Sequence, residues 1–167
     1  MLKQIVPTCL TALSLYSCIG QSNEKAFLDK YEFEDFSQFK NVSVFIRGQD
    51  IEKNPIVMVN APSWVNDNAK TGLYVITLDK TNYQIINTKW TLTEGRVNAD
   101  TVMIQQLAQT FMQYNISGLK VDEGGNVFAY LNDAETLSLV RFNDINETQK
   151  EDKKVKWIKN RHNWYRP

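Results

Sequence analysis

The sequence predicts an α+β fold, in which a predominantly antiparallel sheet carries one main amphipathic helix packed on a face. Three observations predict it. Short runs of alternating apolar and polar residues recur along the chain, as in half-buried strands. Several gaps between these runs have the composition of tight turns, and one segment has helical periodicity. The alternation of strands and helices that is typical of a parallel nucleotide-binding sheet is missing from the sequence.

The first third of the chain contains one predicted helix and two predicted strands. Residues 21–40 are acidic and aromatic, and we expect a short helix here after a brief tether. Apolar and polar residues alternate over 42–47, which predicts a strand. A second β-rich run, 56–59, ends at Asn60-Ala61-Pro62, and this ending leaves Pro62-Ser63-Trp64 in a loop between strands.

The middle of the chain predicts a hairpin and then a helix. Runs 73–78 and 83–92 flank Asp79-Lys80-Thr81-Asn82, a turn-forming segment of hairpin length. Ala99 to Tyr114 follows, where apolar residues recur at three- and four-residue spacing: Met103, Ile104, Leu107, Ala108, Phe111, Met112 and Tyr114. We interpret this stripe as core, with Asn98 or Asp100 as the helix cap.

The last third predicts short antiparallel strands. Segments 116–121 and 127–131 surround a turn with two adjacent glycines, Gly124 and Gly125, which adopt positive φ without steric cost. A strand follows over 137–142. After a polar stretch, the apolar alternation of the final residues predicts a closing edge strand.

The N-terminus has the architecture of an export signal. Lys3 is followed by a nearly uncharged run that ends at Gln21, too short to span a bilayer as a helix. Leu15, Ser17 and Cys18 match the lipobox of bacterial lipoproteins, so this region resembles that family. The resemblance implies that Cys18 is lipidated and that cleavage precedes it. It covers the export signal only.

We therefore predict a signal peptide over residues 1–17, a short tether over 18–25 and a single domain over 26–167. The predicted location is the bacterial cell envelope, with the domain outside the cytoplasm. Cys9 would be removed, which leaves Cys18 as the one thiol of the mature chain, and a lipid thioether explains an unpaired cysteine. An ordinary secretory signal and an uncleaved N-terminal helix remain as alternatives.

Charge is balanced overall but uneven along the chain. Without Lys3, 18 of the 19 basic side chains remain beside 19 acidic ones, so bulk charge disfavours nucleic-acid binding. Acidic residues crowd the start of the mature chain, and basic residues crowd its end: Lys153, Lys154, Lys156, Lys159, Arg161 and Arg166. The two ends form either solvated or mutually paired surfaces, or the tail contacts an anionic partner.

No residue pattern in the sequence specifies a chemistry. His162 is the one histidine, which excludes a metal site of clustered imidazoles, and we interpret it as a surface residue. Asp122-Glu123 before the two glycines is explained by a turn. Carboxylates such as Asp67, Asp79 and Asp100 have uninformative spacing. We predict no cofactor, no metal and no catalytic residue.

Four aromatic residues are candidates for contact with a partner or ligand, each with core packing as the favoured alternative: Trp64, Trp157, Trp164 and Tyr165. We favour a lipid-anchored binding or accessory module that contacts an envelope protein. The alternatives are a small carboxylate-dependent hydrolase, and a small-ligand binding protein with an apolar cavity lined by Met103, Leu107 and Phe111.

Overall fold

The computed structural model describes residues 23–65, 68–91, 101–144 and 156–167, with the backbone alone at 62–65, 68–71 and 90–91. This part of the chain is sheet-rich, with nine antiparallel strands and two α-helices, consistent with an α+β fold. The strands are β1 (Val42–Gln49), β2 (Pro55–Val65), β3 (Asn68–Leu78), β4 (Ile85–Thr91), β5 (Gly118–Val121), β6 (Val127–Tyr130), β7 (Leu139–Arg141), β8 (Ile158–Arg161) and β9 (Trp164–Arg166).

The strands form one sheet in the order β4-β3-β2-β1-β5-β6-β7-β9-β8. Helix α1 covers residues 23–31, and helix α2 is Thr101–Gln113. A 3-10 turn, Ser37–Phe39, lies between α1 and β1.

The sheet has two ends, which are named here after the loops that they carry. The Ile51 end has the β1–β2 loop, the β3–β4 turn and the loop that follows β6. The Gly124 end has the β5–β6 turn and the β8–β9 turn. Asn23, at the start of the described part of α1, lies at the Ile51 end, where its amide donates to Asn132 Oδ1 at 2.7 Å.

One face of the sheet lies against both helices and forms the main core. The alternate residues of β1 to β3 that point to this face are almost fully buried: Val42, Val44, Val57, Val59, Ala61, Tyr74, Ile76 and Leu78. Helix α2 packs on β2 and β3 through Ile104, Leu107, Ala108 and Phe111. Helix α1 contributes Phe27, Leu28 and Tyr31 to the same core.

The two predicted hairpins are confirmed, and the predicted end of the second strand is corrected. The hairpins β3–β4 and β5–β6 form around the predicted turns. Strand β2 continues to Val65, so Pro62-Ser63-Trp64 is not a loop. Beyond Asn60, β2 pairs with β3 on one side and has no β1 partner in the described register, and such a one-sided strand tolerates proline.

The tail forms a hairpin of two strands rather than a single edge strand. Strand β9 pairs with β7 on one side and with β8 on the other, so β8 is the edge. The two-residue turn His162-Asn163 joins them, and His162 adopts a left-handed φ of 43°. Histidine is one of the few side chains enriched in this region of backbone space.

The predicted helix is confirmed over Thr101–Gln113, and its predicted caps lie outside the described residues. Met103 is not core: 46 % of its surface is exposed, while Leu107 and Phe111 are buried. Met103 lies in the first described turn of α2, where Thr101 and Val102 are exposed as well. Residues 23–25, which the sequence assigns to the tether, are helical.

Candidate functional site

Trp164 and Tyr165 are core residues on opposite faces of β9. Trp164 is fully buried, and its indole N–H donates to the Glu32 carbonyl at 3.1 Å. Its ring meets Phe27 edge-on at 5.7 Å. Tyr165 lies in a second, smaller cluster with Val140 and Phe142. Both side chains are buried and pack within the domain, as expected of the core alternative.

The other predicted contact residues are only partly described. Trp157 is half-buried against the second cluster, with its ring edge-on to Phe142 at 5.3 Å. Trp64 lies on β2, and its side chain is outside the described part of the structure. The lipidation site Cys18 also lies outside the described residues. Of the four aromatic candidates, the structure brings Trp157 and Tyr165 into one cluster.

The acidic start and basic end of the chain contact each other. Arg161 pairs with Asp29 at 2.5 Å, and Arg166 pairs with Glu24 at 3.6 Å. Burial raises the pKa of Glu24, and Arg166 opposes that rise. The predicted pairing of the chain ends is confirmed for these residues, and their charges are thereby occupied within the molecule.

A cleft of about 400 Å³ opens beside the β8–β9 turn. On its floor Arg141 Nη1 donates to the Glu34 carbonyl at 2.7 Å, and the guanidinium lies over the Phe36 ring at 5.1 Å. Burial lowers the pKa of Arg141. On its rim His162 Nε2 lies 3.3 Å from Glu32 Oε1, without the alignment of a hydrogen bond. His162 is a surface residue, as predicted.

The carboxylates considered for catalysis organise turns instead. Asp79 Oδ1 accepts the Thr81 hydroxyl and the backbone N–H groups of Thr81 at 2.8 Å and Asn82 at 3.2 Å. The hydroxyl bond and the two backbone bonds together lower the pKa of Asp79. Asp122 accepts the backbone N–H and the side-chain amide of Asn126 at 2.8 and 2.9 Å. Asp67 and Asp100 lie outside the described residues. Across the described ranges, no three acidic, histidine or cysteine side chains are placed to hold a metal ion.

A second cleft, of about 490 Å³, opens at the Ile51 end between α1 and the loops next to β5 and β6. Its wall is aromatic and includes Tyr31 and Tyr114. Lys30 lies at its rim, with Nζ 4.8 Å from the centre of the Tyr31 ring. Among the described residues, no carboxylate forms an ion pair with Lys30. The volume is within the range of small-ligand sites.

The face of the sheet opposite the helices carries a line of half-buried apolar side chains. Backbone register places Val75, Met58, Phe45, Gly118 and Tyr130 side by side on neighbouring strands, and we call them the Phe45 row. Their side chains are half-buried, except at Gly118. In the described part of the chain, both helices pack on the other face. The row is therefore the most continuous apolar feature outside the two cores.

The geometry at the centre of the row depends on a glycine. The Phe45 ring lies over Gly118, where an added Cβ would come within 2.4 Å of the ring. This position brings Phe45 edge-on to Tyr130 at 5.4 Å. A residue with a side chain at 118 would displace the Phe45 ring and break the row.

The sequence analysis did not identify the Phe45 row. Its one visible sign is Phe45 itself, an aromatic residue at an outward position of an alternating strand. The neighbours of Phe45 depend on the β1–β5 register, which brings Gly118 opposite Phe45 from far along the chain. No local pattern specifies that pairing.

No protein-family model, curated protein or solved structure matches this chain. Within the described ranges, none of the helices has the length and apolar character needed to cross a membrane.

Proposed function

We propose that the protein is a bacterial envelope lipoprotein, anchored by lipid at Cys18, whose domain is a binding or accessory module for a protein partner. The anchor rests on the export signal and on Leu15, Ser17 and Cys18. The binding surface that we propose is the Phe45 row. In the described part of the chain neither helix covers this row, and half-buried aromatic and methionine side chains on a sheet face are typical of protein interfaces.

The single observation that supports a protein partner is the continuity of this row over five neighbouring strands. The row crosses a face of the sheet and lines neither of the two clefts described above, so it suits another protein surface better than a small molecule. Lys120 lies beside it, with Nζ 5.4 Å from the centre of the Phe128 ring, and adds a cation to its border. A cation at the edge of an interface attracts a partner with acidic groups and speeds its association.

The anchor is tested by metabolic labelling with a palmitate analogue. We expect label on the wild-type chain and none on Cys18→Ala. Cys9→Ala is the matched control and should keep the label, because Cys9 lies in the segment that is removed. Equal labelling of wild type and Cys18→Ala would refute the anchor.

The partner is tested by crosslinking in the native membrane, with a photoreactive amino acid in place of Met58. A matched probe replaces Val102, an exposed residue of α2 on the other side of the domain. We expect one protein to be crosslinked in near-equal amount from position 58 and not from position 102. Equal recovery of the same protein from both positions would contradict the assignment of the Phe45 row.

A small-ligand binding protein is the second candidate, and the cleft beside Lys30 favours it. The aromatic wall and the Lys30 ammonium suit a ligand with a flat ring and an anionic group. Thermal unfolding measured against a library of such molecules tests this function. A stabilising ligand whose effect is lost in Lys30→Ala would support it, and the absence of any stabilising ligand would leave the protein partner as the better proposal.

A further inference from the structure

Ile51 is the most exposed large apolar side chain in the described part of the chain, with 97 % of its surface open to solvent. Single exposed apolar residues are common on soluble domains, so exposure alone identifies no function. Two further observations concern the loop that holds Ile51 and the position of that loop relative to the predicted anchor.

The loop that presents Ile51 is held firmly. Asp50 Oδ1 accepts the backbone N–H groups of Glu52 and Asn54, both at 2.9 Å. Lys80, from the neighbouring β3–β4 turn, donates its Nζ to the Glu52 carbonyl at 3.0 Å and its backbone N–H to Asn54 Oδ1 at 3.2 Å. Ile51 therefore projects from two turns that are bonded to each other.

The loop lies at the end of the sheet from which the chain runs back to Cys18. Asn23 lies at this end, and the five steps of chain from Cys18 to Asn23 span at most about 18 Å even when fully extended. A lipid on Cys18 would therefore hold the Ile51 end close to the membrane.

The Ile51 loop also extends far enough to reach that membrane. Phe45 is the last residue of β1 that pairs with β5. Strand β1 continues four residues beyond it, which adds about 13 Å along the strand. The projection of the loop is thus comparable with the longest reach of the tether. The protein and its anchor can contact one bilayer surface together.

We propose that the Ile51 loop docks on the lipid bilayer that carries the Cys18 anchor, with the Ile51 side chain entering the interface between headgroups and acyl chains. This inference rests on the lipid anchor proposed above. It orients the domain with the Ile51 end at the membrane and the Gly124 end away from it. The sheet then stands upright, and the Phe45 row faces sideways.

A single isoleucine holds no protein on a membrane by itself. Stable attachment needs two signals, and a tether raises the effective concentration of the second. We therefore expect residues 18–167 without lipid to remain free of vesicles, and the Ile51 contact to form only when the anchor is present.

The experiment uses residues 18–167, in which Cys18 is the one thiol. Cys18 is coupled to a maleimide lipid in nanodiscs of neutral phosphatidylcholine that contain a gadolinium-chelating lipid, and the isoleucine δ1 methyl groups are labelled for NMR. Ile19 adjoins the anchor and broadens in any case, so the comparison is made within the domain, residues 26–167, where we expect the Ile51 methyl to broaden more than any other isoleucine methyl. The buried Ile104 serves as the reference.

Two variants separate docking from proximity. Ile51→Ser should reduce the broadening of the Lys53 and Lys80 amides. Phe33→Ser, which changes an exposed aromatic at the Gly124 end, is the matched control and should leave it unchanged. Stronger broadening at the Gly124 end, or uniform broadening, would overturn the proposal.

Because the lipid is attached chemically, this result does not depend on lipidation in the cell. A labelled wild-type chain without Ile51 broadening would refute the docking and leave the anchor intact. Ile51 broadening without cellular labelling would refute the proposed anchor, and with it the docking in the cell.

Discussion

At the scale of single residues, Trp164 joins the C-terminal hairpin to the rest of the domain. Its ring lies edge-on to Phe27 and Phe36, and its N–H bonds the Glu32 carbonyl at the end of α1. Arg141 covers the ring at 5.5 Å. One side chain thus contacts the start, the middle and the end of the described chain.

We expect Trp164→Ala to lower the free energy of unfolding by about 3–5 kcal/mol, because it leaves a large cavity and an unpaired carbonyl. Trp157→Ala should cost clearly less, since Trp157 is half-buried. Urea unfolding of both variants measures the difference. Equal losses would contradict the different roles assigned to these two tryptophans.

Gly118→Ala tests the packing of the Phe45 row. The added Cβ would meet the Phe45 ring, and we expect a loss of about 1–3 kcal/mol from overpacking. In a Phe45→Ala background the same change should cost clearly less, since only the 3.3 Å approach to Tyr130 Cβ remains. A loss of similar size in both backgrounds would place the strain elsewhere.

Asp79 gives the protein a defined response to acid. Its native pKa lies below the ordinary value of 3.8, so between these two values the unfolded chain binds more protons and stability rises with pH. The contribution is complete above pH 3.8 and is lost as pH falls through the native pKa. We expect Asp79→Asn to flatten the pH dependence of the urea midpoint below pH 4, and an unchanged slope would contradict the role of the turn bonds.

The burial of Trp164 and Tyr165 shows what sequence leaves open at this scale. Both are aromatic residues in a basic tail, a pattern that fits either a core or an exposed contact. Burial of Trp164 depends on the position of α1, more than a hundred residues earlier in the chain. Only the assembled fold decides between the alternatives.

At the scale of elements, α1 and the β8–β9 hairpin depend on each other. Surface ion pairs join them at Asp29–Arg161 and Glu24–Arg166, but such pairs contribute about 1 kcal/mol or less each. The apolar contacts around Trp164 provide most of the attachment. The hairpin is therefore part of the core rather than an accessory tail.

We expect deletion of residues 156–167 to abolish cooperative unfolding, because the position of Trp164 between Phe27 and Phe36 is left empty. Arg161→Gln combined with Arg166→Gln is the matched control, and it should lower stability by about 2 kcal/mol or less. Calorimetry distinguishes the two. A cooperative transition in the deleted chain would show that the hairpin is dispensable.

Elements with strong local patterns were the ones that sequence predicted well. The glycine turn at 122–126 and the helical stripe before Tyr114 each carry their own period or turn chemistry. The predicted end of β2 is wrong, because proline and serine usually end a strand. Pro62 is tolerated since β2 pairs here with β3 on one side, and this pairing is a tertiary property. The exposure of Met103 is also a tertiary property, because it depends on which part of α2 the sheet covers.

At the scale of the whole molecule, one face of the described sheet packs against both helices and the other face carries the Phe45 row. The described chain starts with Asn23 at the Ile51 end of the sheet, so the proposed anchor would present this row to the side. This arrangement suits a module that recruits or braces a neighbouring envelope protein.

The most direct test of this function is the affinity of the crosslinked partner for two variants. Met58→Lys places a charge in the Phe45 row, and Val102→Lys places the same charge on the exposed side of α2. We expect Met58→Lys to weaken binding by about tenfold or more, and Val102→Lys to leave it within about twofold of wild type. Equal affinities for the two variants would contradict the proposal that this face of the sheet binds the partner.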